Sequence, residues 1–179
     1  MHLRLIAVGT RMPAWVTDGF AEYARRFPKR LSLELIEVPL GLREKKDKSA
    51  RAISEESRRM LKAVRSGDLV VALDQTGKTV STEKLAGLLS DWQQDGRNVV
   101  FLIGGPDGLG CECLDRAEIV WSLSPLTFPH ALVRILVAEQ LYRAWTILQN
   151  HPYHRGCISG KREAASGKRE VALTRGQKK

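Results

Sequence analysis

The stretch NVVFLIGGPDGLGCECLDRAEIVWSLSPLTFPH, residues 98–130, decides the fold. It opens with an unbroken apolar run, NVVFLI at 98–103, of the length and composition of a strand buried on both faces. That run ends in the glycine-rich loop GGPDG at 104–108. A short helix is expected near Cys113, then a second apolar strand at 119–123. The proline-stiffened loop LSPLTFPH at 123–130 follows, and Pro129 is placed to open a long helix that runs to about Gln149. Strand–loop–helix units of this kind give a mostly parallel sheet. Two such loops at the carboxyl ends of strands frame the crevice where open α/β sheets bind ligands.

Working outward, the same alternation holds. HLRLIAV at 2–8 reads as the first strand, and Gly9 ends it. Pro13 is placed at the start of a helix carrying Trp15, Gly19, Phe20, Tyr23 and Phe27, which Pro28 closes. LSLELIEV at 31–38 is a second strand, and a helix ends near Val64. LVVALD at 69–74 is a third, buried strand. The turn QTGK follows at 75–78, with Ser81 as the cap of the next helix and Gly96 as its terminator. Leu85, Leu88, Leu89 and Trp92 form that helix's apolar face. Thirteen of the 21 residues in 129–149 are apolar and run most of the way around the cylinder, so this helix has neighbours on more than one side. A second subunit is one candidate neighbour.

The chain has 179 residues, 43% apolar and 27% charged, as expected of one globular domain that folds without disulfides or metal. Its net charge of +9 is uneven. Residues 156–179 hold seven Lys or Arg against two Glu, a net of +5, which leaves +4 for residues 1–155. A basic surplus favours polyanions such as RNA. The reading is therefore a domain over 1–155 and a basic, disordered tail over 156–179, where SGKRE occurs twice. GLREKKDKS at 41–49 is a charged connection, read either as a solvated loop or as an arm toward RNA phosphates. The three cysteines, Cys111, Cys113 and Cys157, suit free thiols in a reducing cytosol. No segment approaches ~20 apolar residues, so no membrane span is expected, and the protein is read as cytoplasmic.

Three phrases carry candidate chemistry. Gly104 and Gly105 let backbone approach a ligand closely, although a plain structural turn fits them equally well. The loop is neither a P-loop nor a dinucleotide fingerprint, since neither GK[ST] nor GxGxxG is present. Leu123, Ser124, Pro125, Leu126, Thr127 and Phe128 read either as a plain strand-to-helix connector with buried apolar residues or as a loop whose backbone groups read an adenine edge, with Leu126 and Phe128 packing on the ring. NHPYHR at 150–155 places an aromatic ring, a histidine and an arginine together just beyond the last helix, read either as a polar helix exit on the surface or as a group that handles a proton and an anion. Zinc ligation by Cys111, Cys113, His151, His154 and Cys157 is disfavoured by their spacing, and no metal is expected.

These phrases, with AVGTRMPAWV near the start, YARRFP at 23–28, LIEVP at 35–39 and LVRILVAEQLYRAW at 132–145, resemble one family nearly end to end over residues 1–155. It is the small SPOUT-class methyltransferases that methylate a pseudouridine of large-subunit ribosomal RNA, the H enzyme of that series. The resemblance implies a SPOUT-type knotted (trefoil) α/β fold, a mostly parallel sheet flanked by helices, and a homodimer. It implies S-adenosyl-L-methionine (SAM) as methyl donor, held by Leu73, Gly104, Gly105 and Leu123 to Phe128. It implies methyl transfer to N3 of a pseudouridine in helix 69 of 23S rRNA, on the assembled 70S ribosome. Tyr153, His154 and Arg155 match the family's substrate end, as base-stacking, proton-handling and charge-stabilising groups in that order. The rival readings are a non-catalytic ribosome-associated RNA-binding protein and a SPOUT methyltransferase acting on another RNA. Two departures stand out: Asp107 replaces the expected Glu or other polar residue, and 24 residues continue past the family's usual end at Arg155.

Overall fold

Apolar alternation along the strands builds the molecule. In β1 (His2–Val8) and β4 (Val99–Ile103), side chains point by turns to the two faces of the sheet, and from Leu3 onward only Arg4 among them is not apolar. The computed structural model describes residues 1–43 and 49–154. Its five strands, with β2 (Ser32–Val38), β3 (Leu69–Thr79) and β5 (Ile119–Ser122), are all parallel in the order β2-β1-β4-β3-β5. Parallel pairing puts every strand's carboxyl end on one edge.

Each face is covered by helices. Leu5, Val71 and Phe101 face α1 (Ala14–Ala24), α3 (Thr82–Asp95) and α5 (His130–Leu148), meeting Phe20, Leu89 and Leu141. Ile6, Val70 and Leu102 face α2 (Ser49–Ala63) and α4 (Cys111–Arg116), meeting Met60 and Cys113. The caps of α3 are those expected. Ser81 Oγ accepts from the Lys84 amide at 3.2 Å, and Gly96 closes the helix at φ 73°.

No residue of α5 is fully exposed. Leu132, Val133, Ile135 and Leu136 are only half-buried, while the helix packs against α1, α3 and β4 of its own chain, so it has neighbours on more than one side. Gly19 of α1 is one reason: a Cβ there would lie 2.8 Å from Ile135 Cδ1, so glycine lets α1 close onto α5.

Two expectations need correction. QTGK is not a turn between a strand and a helix. β3 continues to Thr79, and residues 74–77 form an excursion within it, because Leu73 and Lys78 both pair with Trp121. The excursion is stitched by Asp74 Oδ1, which accepts from the Thr76 amide at 2.9 Å and its hydroxyl at 2.6 Å. Trp15 does not join the buried stripe of α1. It lies in the first turn and is exposed, and Val16 is buried in its place.

One polar pair sits on the α2 face. Arg4 and Asp68, each 3% exposed in its side chain, form an ion pair. Arg4 Nη1 also donates to the Ala63 carbonyl at 3.1 Å, and Asp68 accepts from the Arg65 amide at 2.6 Å. Breaking such a pair from one side leaves an uncompensated buried charge, at a cost of about 3–5 kcal/mol. Asp68→Ala is therefore expected to lower unfolding free energy by about that amount, read from the shift of the urea midpoint at constant slope. An unchanged midpoint would contradict the pair's role.

Candidate functional site

A crevice of about 760 Å³ opens at the carboxyl ends of β3, β4 and β5. That volume is in the range of small-molecule and cofactor sites. Each wall has a local cause. At the end of β3, Leu73 is followed by the 74–77 excursion. Gly77 makes the excursion possible, since a Cβ there would lie 2.7 Å from the backbone of Val120 and Trp121.

Beyond β4, the chain folds back on itself through Gly104–Gly108. The Gly108 amide donates to the Gly105 carbonyl at 3.1 Å, and Gly108 has φ 85°. A Cβ on Gly104 would lie 2.4 Å from the Gly108 carbonyl carbon and oxygen. Only glycine permits this closed loop. Beyond β5, Ser122 Oγ donates to the Ser124 carbonyl at 3.1 Å, and Ser124 Oγ accepts from the Leu126 amide at 3.0 Å. Pro125 and Pro129 stiffen the same loop.

Of the residues anticipated for the crevice, Leu73, Gly104, Gly105, Leu123, Ser124, Leu126, Thr127 and Phe128 line it. Pro125 does not; it is exposed on the outside of the turn. Leu126 is 71% exposed and forms a lip. The sequence reading missed Asp74, Trp121, Ser122, His130 and Val133, which also line the crevice. His130 directly follows the proline loop, but nothing local marks it as a wall residue.

The lining mixes apolar side chains such as Leu73, Trp121 and Val133 with polar ones such as Asp74, Thr127 and His130. Two buried polar atoms on lining residues lack partners among the described residues, Trp121 Nε1 and His130 Nδ1. Burial lowers the His130 pKa below the ordinary imidazole value, and the nearby positive charges of Arg134 and Arg43 lower it further, against Glu56. His130 is therefore neutral at pH 7.

Asp107 has a structural task. Its Oδ2 accepts from Arg43 Nε at 2.8 Å, while Arg43 Nη1 donates to Glu56 Oε1 at 2.9 Å. Glu56, 2% exposed, also accepts from the Gly41 amide at 2.7 Å. The glycine loop is thereby tied to α2 and to the chain leaving β2. Of the charged connection at 41–49, residues 44–48 lie outside the described residues.

The substrate-end phrase is elsewhere. Tyr153 does not line the crevice. Its hydroxyl donates to Glu139 Oε1 at 3.2 Å, its ring meets Tyr142 edge-on at 5.0 Å, and the Arg143 guanidinium lies 5.0 Å from its centroid. Burial, a hydrogen bond with Tyr23 and the charge of Glu139 raise its pKa, so the phenol stays neutral. Glu139 to Arg143 lies about two and a half to three and a half helical turns beyond His130, a separation along α5 of roughly 14–20 Å. His154 belongs to the short turn Pro152–His154, and Arg155 lies outside the described residues, as do 156–179 with Cys157. Among the described residues, no cluster of three His, Cys, Asp or Glu is assembled for a metal, and no helix is long and apolar enough to cross a membrane.

An α/β domain with a nucleotide-sized crevice at its strand ends, built by a glycine loop and a proline loop, defines a class. The family model described as "Predicted SPOUT methyltransferase" matches residues 1–154. Proteins named ribosomal RNA large subunit methyltransferase H align over 155 residues, 87% of this chain. The one from Saccharophagus degradans is 60% identical over its whole length, and that from Alkalilimnicola ehrlichii is 59% identical over 99% of its own. The counterpart from Marinomonas is 53% identical over its whole length. This chain belongs to the SPOUT methyltransferases and, within them, to the large subunit methyltransferase H family.

Proposed function

We propose that this protein is a cytoplasmic, homodimeric enzyme that methylates N3 of a pseudouridine in helix 69 of 23S rRNA, with SAM as donor and the 70S ribosome as substrate. The observation that carries the reading is the crevice itself, formed by three separate strand ends from the segments the family resemblance singles out. Leu73, Gly104, Gly105 and the 123–128 loop would hold the cofactor, with Leu126 and Phe128 against its adenine and backbone groups at its polar edges. The bound sulfonium supplies an electrophilic methyl group.

The protein must then position the base and manage one proton. N3 attacks with a lone pair, so its proton must leave and the resulting charge must be stabilised. Arg155 stabilises the base anion, a preorganised electrostatic role, and His154 takes the proton. Tyr153 is neutral. Its contacts with Glu139, Tyr142 and Arg143 suit it to anchor the C-terminal segment as well as to face a base. Because Tyr153 sits so far along α5 from its own chain's crevice, these groups serve the crevice of the second subunit. The threaded C-terminal segment of a trefoil knot belongs to the same reading.

Transfer of a labelled methyl group from SAM tests this proposal, with 70S particles, free 50S subunits and naked RNA that lack the modification. Label on a helix 69 pseudouridine, mainly in 70S particles, is expected. SAM binding with label only on another RNA would favour a different substrate, and absence of SAM binding would favour the non-catalytic reading. Removing residues 157–179 is expected to leave turnover on ribosomes intact. It should also make RNA binding less steeply dependent on salt, because a segment of net +5 is lost with Gly156 retained. A collapse of turnover would give the tail a catalytic part.

A further inference from the structure

His130 is the first residue of α5 and lines the crevice between the glycine loop and the 123–129 loop. Its Nδ1 is buried and has no hydrogen-bond partner among the described residues. The ring is held in place by its neighbours. Arg134, one turn further along α5 and fully buried, donates to the Val8 carbonyl at 2.8 Å, the Gly9 carbonyl at 2.7 Å and Glu37 Oε1 at 2.7 Å. Gly9, at φ 108°, packs against both: a Cβ there would lie 3.2 Å from Arg134 Nη2 and 3.6 Å from His130 Cε1. The guanidinium thus anchors the carboxyl end of β1 to the start of α5, with the imidazole beside it.

This setting selects a tautomer. Nδ1 is shut away from water with no acceptor to receive a proton, and Arg134 places positive charge nearby. A bare Nδ1 lone pair is favoured there, which leaves the proton on Nε2. A neutral imidazole at a helix N-terminus, presenting one N–H, is a hydrogen-bond donor to a carbonyl on which charge develops.

We propose that His130 is a further catalytic residue, its Nε2–H donating to a carbonyl oxygen of the target base beside N3. This rests on the methyl-transfer reading above. In the step, the N3–H bond breaks and its proton passes to the His154 supplied in trans. The freed N3 pair forms the bond to the methyl carbon, and the methyl–sulfur bond breaks with its pair left on sulfur. His130 gives up no proton. It lowers the energy of the negative charge that spreads from N3 onto the adjacent carbonyl.

The test uses the full-length dimer, saturating SAM and single-turnover transfer to unmodified 70S ribosomes, with SAM affinity measured separately. His130→Ala is expected to slow transfer by about 100-fold, the scale of one lost oxyanion donor, with SAM affinity nearly unchanged. His130→Gln keeps an N–H and is expected to recover most of that loss. Nitrogen-15 histidine spectra of the free dimer should show His130 as the Nε2–H tautomer at pH 7. The role is overturned if the Ala variant transfers at the wild-type rate, or if SAM affinity falls while the saturated rate holds. It is equally overturned if Gln is as impaired as Ala, or if the proton sits on Nδ1. Wild-type label on a different nucleotide would instead refute the proposed target, and the Ala and Gln comparison is then read on that nucleotide. No label from wild type on any RNA would refute both.

Discussion

Replacing Gly104 with alanine is expected to weaken SAM binding by about 10- to 100-fold while leaving the fold intact. The new Cβ would lie 2.4 Å from the Gly108 carbonyl group, and backbone cannot turn aside as a side-chain tip does. Gly108 has little room to yield, since it stands at positive φ with its amide bonded to Gly105. Forcing a methyl group into a closed contact costs about 1–3 kcal/mol, which is one to two orders of magnitude in affinity when the displaced loop is the binding wall. The loop lies at the sheet edge, beyond the last buried strand residue Ile103, so the core is spared. Gly87→Ala is the matched control. A Cβ at that helical position meets nothing within 4 Å, so cofactor binding should not change. Calorimetric titration of both variants with SAM gives the comparison, and wild-type affinity in Gly104→Ala would remove the glycine loop from the site.

Arg155→Ala is expected to lower turnover by about 100- to 1,000-fold, the scale seen when one preorganised group facing a developing anion is lost. SAM affinity should stay near the wild-type value, because Arg155 is assigned to the base and the cofactor walls lie on β3, β4 and β5. Arg155→Lys separates charge from geometry. It keeps the cation but loses the planar fork, so partial activity is expected. Unchanged turnover in Arg155→Ala would exclude this residue from the mechanism. The two variants therefore fail in different ways, one at binding and one at chemistry.

Much of this architecture is legible in the chain because it is written locally. Buried parallel strands are short apolar runs, and Val99–Ile103 can hardly be anything else. Ser81 and Gly96 mark the ends of α3 through their own side-chain and backbone chemistry. Gly104, Pro125 and Pro129 flag the two crevice loops because glycine and proline restrict or free φ whatever surrounds them. What escaped is set by partners far apart in sequence. Arg134 reads as one charge in an apolar helix, and only the fold brings Glu37 and the end of β1 to it. Arg43 reads as part of a charged loop, yet it ties Asp107 to the buried Glu56. The excursion at 74–77 looks like a simple turn, because its return to Trp121 is a register shift between strands some 45 residues apart. The membership of the crevice followed the same division. Loop residues were readable, whereas His130 and Trp121 joined through tertiary placement.

The separation of Tyr153 from its own chain's crevice makes a composite site the central claim, and mixed dimers test it most directly. Gly104→Ala and Arg155→Ala subunits, differently tagged and co-expressed, are purified as the heterodimer and assayed for methyl transfer to unmodified 70S ribosomes, at a SAM concentration that nearly saturates the wild type but leaves Gly104→Ala largely empty. In a composite site, the Arg155→Ala subunit contributes an intact crevice and the Gly104→Ala subunit an intact C-terminal end. One of the two sites is then whole, and the heterodimer should recover about half of wild-type activity although each parent homodimer is impaired. If both parts of a site came from the same chain, each subunit would carry a defect, and the heterodimer would be no more active than its parents.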